Sequence, residues 1–550
     1  MENGDSGVDE QKEDLISYIK NCTEKIARID DKHERDIILF EMLHTLNEMS
    51  ETFTEEEDYF EAAGMLCSAA YYLEEYYNNY AKRLYEKAIK YYNHHIHKMV
   101  RKGNIKEAGT IAIKIADLYR DKICSTSDEE KNVLRAIDFT KQEIEFMIAY
   151  DSAHDLALLF QKIGVLHERI HHFREAIVAN QNVLKYAKRT KDFSLISNAY
   201  QNLSTSYMHA KDFGKAQDIM LEGMEYFSNL ASKFEQNGEL LMLSQIYQIM
   251  KRFYVFLRDK SHFILFSKKE AQVYLSLAKL SLIGDVPLVQ VASYYRAAAL
   301  CYKDTNKNNI EASTCFILSG NYYKDEKKYV EATINYMDSA ELFEIMENYK
   351  KSYEYYIKSA ECAILAFNKE IAIENYIRAI DLSEKAKINN EIAIKRLIEL
   401  LEHYAIVQKS SQNCFVAATM YLEAAYYYFL LKKQNDAQFT DYILKSAKLY
   451  YESGISSNEL RKHSDRVYAL VLSVLCNYLL KNTSRIESIV KEISTGNSKT
   501  AKIYEKIMTL VMIKTEKLDV DIACLEPKER NLYSKSEELK KLIFLINKFY

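Results

Sequence analysis

The sequence contains very few of the residues that form tight turns. Glycine supplies only 13 of its 550 residues and proline only 2, which is about 2 and 0.4 per cent. Typical usage is roughly 7 and 5 per cent. β-Hairpins and α/β connections rely on glycine, Asn-Gly pairs and proline at their turns. This scarcity excludes a sheet-based fold and predicts that the chain is all-α.

Tryptophan is absent, and 44 tyrosines take over the role of the large aromatic residue. Apolar residues make up 48% of the chain and charged residues 28%, a balance that excludes broad disorder. A single hydrophobic core stops growing near ~250–300 residues. The chain must therefore form several domains or an elongated array of repeats, and its composition favours the array.

Signals for export and membrane insertion are also missing. Residues 1–14 are acidic and lack the charged-then-apolar pattern of a signal peptide. The longest uncharged apolar run, Val467–Leu480, has 14 residues, fewer than the ~20 that span a bilayer. The nine cysteines form no Cys-x-x-Cys pair, which indicates reduced core thiols. We expect a soluble, cytoplasmic protein with no transmembrane segment.

Charge is distributed unevenly along the chain. Residues 1–61 contain 19 acidic and 6 basic residues, a net charge of −13, whereas the whole chain carries −5. This asymmetry fits either solvated helix faces or an acidic front end that orients a partner. No block of consecutive lysine and arginine occurs, so the sequence predicts no nucleic-acid partner.

An internal repeat organises most of the chain. Its frame is a small residue, a large residue three positions on, and an alanine twelve positions after the first, as in Gly164, His167 and Ala176. Small residues let two helices approach closely, and a lone helical hairpin must stack on the next to bury both faces. The predicted helix-contact positions are Ala69, Ala81, Gly164, Ala176, Ser204, Ala216, Gly320, Ala332, Ala360, Ala372 and Ala417.

This frame resembles the tetratricopeptide repeat (TPR) across roughly residues 60–430, with copies about 40 residues apart instead of the usual ~34. The longer period and the non-repeat stretches 467–493 and 536–550 are similar to the soluble NSF attachment protein (SNAP) family. The resemblance implies a right-handed superhelical α-solenoid of antiparallel helix pairs, closed by a C-terminal helical bundle. It also implies an adaptor role, because a SNAP bridges SNARE bundles to a disassembly ATPase in vesicle traffic.

Local breaks divide the predicted array into four parts. Residues 1–10 are expected to form a flexible acidic tail, and residues 11–282 an N-terminal helical-repeat array. Pro287 marks the start of a second TPR-like run over residues 283–452. The break "ESGISSNE" then opens a C-terminal helical bundle over residues 453–550.

One enzyme-like motif lies within the repeat. Residues 167–171 read His-Glu-Arg-Ile-His and match HExxH, which binds zinc when both histidines lie one turn apart on one helix. Here His167 occupies the large position of the frame, and His171 lies where the first helix passes to the second. We therefore interpret the motif as structural, with a zinc hydrolase as the remote alternative.

Other chemical signals are weaker. His94, His95 and His97 could bind a metal weakly, but surface histidines are the simpler interpretation. The segment Ser494–Thr500 resembles a phosphate loop, yet it has Ser498 where that motif has glycine, and no strand precedes it. We predict no catalytic residue, no metal and no cofactor, and hence a protein that is not an enzyme.

The predicted groove suits polypeptide partners. The basic clamp that TPR proteins use for acidic chaperone tails is absent, since its positions hold residues such as Gln161 and Gln201. Tyrosine offers a large rigid surface with a polar tip, which suits helical or extended peptide segments of other proteins. Any membrane association would go through such partners. The candidate partner-binding residues are Tyr72, Tyr77, Tyr323, Tyr356 and Tyr427.

Overall fold

The computed structural model describes residues 17–26, 28–29, 31–55, 58–284, 286–305, 307–432, 436–455, 463–494 and 536–549. Within these ranges all regular structure is helical and no strand occurs. Residues 17–26 are helical. The helices that follow are α1 (Lys32–Glu55), α2 (Tyr59–Leu73), α3 (Asn78–Arg101), α4 (Ile105–Leu118), α5 (Thr126–Ile148), α6 (Ala153–Arg169), α7 (Phe173–Ala187), α8 (Phe193–His209), α9 (Phe213–Asn237), α10 (Leu240–Phe256), α11 (Lys260–Ile283), α12 (Leu288–Lys303), α13 (Asn309–Asp325), α14 (Tyr329–Ile345), α15 (Tyr349–Leu365), α16 (Lys369–Ala386), α17 (Glu391–Ser410), α18 (Cys414–Lys432), α19 (Ala437–Ile455), α20 (His463–Leu479), α21 (Thr483–Ser494) and α22 (Glu537–Phe549).

Regular spacing of the helix starts defines the repeat. Helices α6, α7, α8 and α9 start 20 residues apart, and so do α13, α14, α15 and α16. Each of these helices packs against the next one in its series, and the short turns between them make neighbours antiparallel. Two helices thus form one repeat of 40 residues. The prediction of an all-α chain of antiparallel helix pairs is confirmed.

Many helices end at a left-handed residue that is not glycine. A left-handed glycine commonly ends a helix, but here other residues occupy that position, with φ of 60° at His171, 59° at Lys327 and 59° at Phe367. The following amide returns to the helix, as in the 2.9 Å bond from His172 N to His167 O. A left-handed non-glycine residue costs about 1–2 kcal/mol, so helix contacts on both sides must hold these turns.

Two compact units make up the chain. The first comprises residues 1–237 and 248–263, and the second comprises residues 238–247 and 264–550. Helices α1–α9 belong to the first unit and α12–α22 to the second, while α10 and α11 contribute to both. The domain boundaries expected at residues 10, 282 and 452 stay predictions.

Small residues of the repeat lie between packed helices. Gly164, Ser204 and Gly320 are buried. Ser204 Oγ donates a 2.8 Å hydrogen bond to the carbonyl of Ala216, which joins two positions of one repeat. A Cβ on Gly320 would lie 2.9 Å from Cε1 of Tyr336, so only glycine permits this approach. The alanines of the set, all 0–4% exposed, are Ala69, Ala81, Ala176, Ala216, Ala332, Ala360, Ala372 and Ala417.

The C-terminal helices extend the core of the second unit. Helix α20 packs on α19, α21 packs on α20, and α22 packs on both α18 and α20. Ile489 of α21 and Leu542 of α22 are fully buried in the same cluster as Leu397 of α17. A 2.7 Å ion pair between Lys541 and Glu423 fixes α22 on α18.

Helix α18 is long and apolar enough to cross a membrane by length and composition, with a mean hydropathy of 1.3. Half of it is buried inside the protein, and α17 and α19 both pack against it. Core helices of soluble proteins share these properties, and the burial of α18 favours that interpretation.

Candidate partner-binding sites

The HExxH residues 167–171 do not lie on one helix. Helix α6 ends at Arg169, and His171 is in the left-handed conformation that turns the chain toward α7. The motif binds zinc only when both histidines face the ion from one continuous helix. Among the described residues, no group of three or more His, Cys, Asp or Glu side chains is placed to hold a metal ion.

His167 belongs to the core between α6 and α7. Its side chain is 7% exposed, and its ring lies 6.1 Å from the ring of His172. Burial lowers the pKa of its imidazole, which favours the neutral form. The residue therefore fills the large position of the repeat as a buried neutral side chain.

Glu168 and Arg169 link α6 to three other helices. Glu168 accepts a hydrogen bond from the hydroxyl of Ser206 on α8. Arg169 pairs with Glu129 of α5 at 2.8 Å and with Asp117 of α4 at 2.7 Å. These contacts give the polar residues of the motif a structural role.

The three histidines of α3 are separated by the helix. His95 is 8% exposed, and its Nε2 lies 3.0 Å from Oε1 of Glu107. His94 and His97 are exposed on another side, so the three do not converge on one ion. Both exposed histidines line a cavity of about 400 Å³. Its lining residues are Tyr59, His94, His97, Lys98, Arg101 and Lys102.

Three of the five predicted partner-binding tyrosines are buried. Tyr323, Tyr356 and Tyr427 are 8%, 6% and 4% exposed. Tyr323 belongs to the same core cluster as Tyr336, and burial raises the pKa of the Tyr427 phenol. The rings of Tyr323 and Tyr427 fill helix–helix contacts and offer little surface to a partner, and their role in partner binding stays a prediction. Tyr356 also lines a cavity.

The other two predicted tyrosines lie beside more exposed neighbours. Tyr72 and Tyr77 are half-buried and pack against the core of the first unit. Tyr71 is 65% exposed and Tyr76 is 44% exposed. In the adjacent pairs Tyr71-Tyr72 and Tyr76-Tyr77, the first ring is therefore the more exposed one.

A cavity of about 480 Å³ lies between α8, α10 and α11, within the first unit. Helix α10 contributes five residues at positions i, i+3, i+4, i+7 and i+8, a spacing that puts them on one helix face. Asp259 caps the start of α11 by accepting a 3.1 Å hydrogen bond from the amide of His262, which places Phe263 in the first turn. The lining residues are Gln201, Gln248, Lys251, Arg252, Val255, Phe256 and Phe263.

This cavity combines apolar surface with positive charge. Lys251 Nζ lies 5.7 Å from the centroid of the Phe263 ring, a cation–π distance. Val255 is 62% exposed beside it, and Arg252 is also exposed. The described lining thus contains two basic residues and no acidic one. It can hold an apolar side chain next to a carboxylate.

A second cavity, of about 730 Å³, lies between α14, α15 and α16 in the second unit. Across it, Arg378 pairs with Glu344 through two bonds, Nη2–Oε1 at 2.5 Å and Nε–Oε2 at 3.2 Å. Arg378, the one basic residue of the described lining, is therefore already paired with a carboxylate. The lining residues are Met337, Glu341, Glu344, Ile345, Tyr356, Glu374, Asn375 and Arg378.

Sequence reasoning missed the cavity of the first unit for an identifiable reason. Helices α10 and α11 form a degenerate copy of the repeat, so the small-and-large frame does not mark them. The available signal was a valine and two cations at helical spacing in residues 248–255. The phosphate-loop-like segment, apart from Ser494, lies outside the described residues.

Comparisons with known proteins give no close relative. No protein-family model matches the chain, and no curated protein matches it. Among solved structures it is similar to a signal-transduction ATPase with a tetratricopeptide repeat sensor from Pyrococcus horikoshii, at a TM-score of 0.28 and 15% identity. That match covers 66% of this chain and 53% of the other, so this chain spans about half of that protein.

Two further solved structures are similar to the chain with comparably low TM-scores. Aspartyl phosphate phosphatase F from Bacillus subtilis has a TM-score of 0.23 at 14% identity, over 66% of this chain and 94% of the other. The human IFIT1 dimer with m7Gppp-AAAA has a TM-score of 0.18 at 13% identity, over 87% and 93%. All three TM-scores lie below 0.5, so the fold assignment rests on the helix pairs described above.

Proposed function

We propose that this chain is a non-catalytic helical-repeat scaffold that binds partner proteins, and that the cavity between α8, α10 and α11 is one of its binding sites. The observation that carries the proposal is that the exposed Val255, the Phe263 ring and two cationic side chains line one cavity. Apolar anchors in such sites supply affinity, and charges at their rim select the partner. An extended or helical segment with an apolar side chain beside a carboxylate has the matching chemistry.

Neighbouring surface supports a partner longer than one side chain. Helices α6, α8 and α10 are the first helices of successive pairs. On α6, Leu158 is 45% exposed and Val165 is 56% exposed. A segment that ran along these first helices would meet apolar surface on α6 as well as the cavity.

The proposal includes no catalytic step. The HExxH residues have structural contacts, and burial raises the pKa of the Cys315 thiol to about 11 and that of Cys476 to about 12. A thiol that stays protonated is a poor nucleophile. Eight described cysteines are free, and five of them, including these two, are buried.

The test is a differential capture experiment with the full chain as bait in a lysate of its native cell. Val255→Asp places a carboxylate in the apolar part of the cavity and should reduce capture of a specific partner at least tenfold. Val178→Asp is the matched control, because Val178 is 57% exposed on α7 and outside the cavity. Quantitative mass spectrometry compares both variants with the wild type.

Two results would overturn this proposal. One is a set of captured proteins that Val255→Asp leaves unchanged. The other is a purified chain that turns over a substrate with no partner present. Cross-linking from position 252 in the wild-type background would then show whether any protein occupies the cavity.

A second candidate is a SNAP-like adaptor in vesicle traffic and SNARE disassembly. It is favoured by helices that start 20 residues apart, which give the longer 40-residue repeat, and by the closing helices α20–α22. The experiment is direct binding of the purified chain to an assembled SNARE bundle and to a AAA-type ATPase. Absence of both interactions removes this candidate and leaves the general scaffold. Both candidates place the protein in the cytoplasm.

A further inference from the structure

The end of α3 carries a concentration of positive charge that the scaffold proposal does not use. Helix α3 contains six lysines and arginines and one glutamate. Its last turns direct His94, His97, Lys98 and Arg101 to one side, at the i, i+3, i+4 and i+7 spacing of a single helix face. Together with Lys102 and Tyr59 they line the cavity of about 400 Å³.

Two cations of this lining, Arg101 and Lys102, have no ion-pair partner among the described residues. Glu107, in the first turn of the following helix, is held by His95 Nε2 at 3.0 Å and by Asn104 Nδ2 at 2.6 Å. Arg101 and Lys102 are exposed and make no ion pair or side-chain hydrogen bond within the described part of the chain. Their guanidinium and ammonium groups are therefore available to an anion that enters the cavity.

From this arrangement we infer that the α2–α3 cavity binds a phosphate monoester carried by a partner polypeptide. A phosphorylated side chain has a charge of about −1.5 to −2 and three acceptor oxygens. Arginine binds such a group through two parallel hydrogen bonds, and lysine adds a point charge. The guanidinium of Arg101 and the ammonium of Lys102 line one cavity and together supply more donors than a single carboxylate can use.

The lining favours this ligand over nucleic acid. Single-stranded nucleic acid is held by aromatic rings on which bases stack. The cavity has one tyrosine, Tyr59, and its ring already lies 5.4 Å from that of His94. The site therefore has the charge for a phosphate but no free stacking platform among its described residues.

The site is separate from the cavity of α8, α10 and α11, so the two proposals can fail independently. The probe is a fluorescein-labelled Gly-Ser peptide with one central phosphoserine, titrated with the full chain and followed by fluorescence anisotropy. The identical peptide with serine is the ligand control. We expect phosphate-dependent binding that inorganic phosphate competes away.

Arg101→Gln should weaken the phosphopeptide at least tenfold, because it removes the bidentate donor. Lys90→Gln is the matched control on an exposed position of α3 outside the cavity, and it should change affinity less than twofold. Circular dichroism checks that both variants keep the wild-type helix content. The inference is overturned by equal binding of the serine peptide, by no binding at all, or by equal losses in both variants. Binding only to single-stranded RNA or to anionic vesicles overturns it as well.

Discussion

The residue that faces the glycine of the repeat frame differs between the two units. Its glycine is Gly164 in the first unit and Gly320 in the second, and the side chain sixteen residues later faces that glycine in both. A Cβ on Gly164 would lie 2.8 Å from Oδ1 of Asn180, whereas a Cβ on Gly320 would meet the ring of Tyr336. One contact is therefore polar and the other aromatic.

The two fillings stabilise their helix pairs by different means. Asn180 is 2% exposed and donates a 2.8 Å hydrogen bond to Ser206, which itself bonds to Glu168. Tyr336 is also 2% exposed and donates to Asn321 Oδ1 at 2.7 Å, but most of its contact is ring area. The frame thus fixes how closely two helices approach, and the residue opposite the glycine decides whether polar or apolar contact stabilises them.

The largest loss of stability should come from removing the aromatic ring of Tyr336. Tyr336→Ala deletes a fully buried ring and should lower the free energy of unfolding by about 3–5 kcal/mol. Asn180→Ala removes one partner of a buried hydrogen bond and should cost about 1–3 kcal/mol. Urea unfolding followed by circular dichroism measures both, and hydrogen exchange assigns the loss to α13–α14 or to α6–α7.

Tyr336→Phe is the control for the first comparison. It keeps the ring and removes only the hydrogen bond to Asn321, so it should cost about 1 kcal/mol. Equal losses for the alanine variants of Tyr336 and Asn180 would contradict the division into an aromatic and a polar contact.

Substitutions of the two glycines should change the free energy of unfolding by smaller amounts. Gly320→Ala forces a methyl group against the Tyr336 ring and should cost about 1–3 kcal/mol through overpacking. Gly164→Ala meets only the amide end of Asn180, so Asn180→Ala in the same chain should recover most of its cost. A double-mutant cycle from urea unfolding measures this coupling. Strict additivity of the Gly164 and Asn180 changes would show that the two residues do not touch.

The large position of the frame predicts a difference in pH dependence. It is His167 in the first unit and Tyr323 in the second. Burial lowers the pKa of His167, with Glu175 opposing this and His172 and Lys141 adding to it. As pH falls, His167 is protonated in the unfolded chain before it is protonated in the folded one. The folded state therefore keeps its full stability above the unfolded pKa of about 6.5. It is lost as pH falls through the folded pKa.

His167→Gln should therefore flatten the fall in thermal stability of α6–α7 between pH 7.5 and 5.5. His154→Gln is the matched control, because His154 is exposed on the same helix. Burial raises the pKa of Tyr323, so the second unit has no change of charge at this position over that range. Hydrogen exchange of α6–α7 and α13–α14 at both pH values measures the difference. Identical pH slopes for the wild type and His167→Gln would rule out this role.

The fold was more predictable from the sequence than the sites. Small residues at fixed spacing report directly on helix contact, which is why Gly164 and Gly320 lie where the frame puts them. The exposure of a tyrosine depends on which neighbouring helix covers it, and adjacent residues on a helix are only ~100° apart. The sequence therefore could not tell that Tyr323 is covered while Tyr71 is exposed. The cavity at Val255 was hidden because its helices depart from the frame.

The turns offer the smallest expected effect. Phe367 is left-handed with φ of 59° and its side chain is 91% exposed, so the ring contributes little to the core. Phe367→Gly removes the steric cost of that conformation, about 1–2 kcal/mol, and adds backbone entropy to the unfolded chain, about 0.5–1 kcal/mol. The net gain in unfolding free energy should be about 0.5–1 kcal/mol by urea unfolding. Phe367→Ala, which keeps a Cβ in the same conformation, should gain nothing, and an equal gain in both variants would attribute the effect to the exposed ring and not to the backbone.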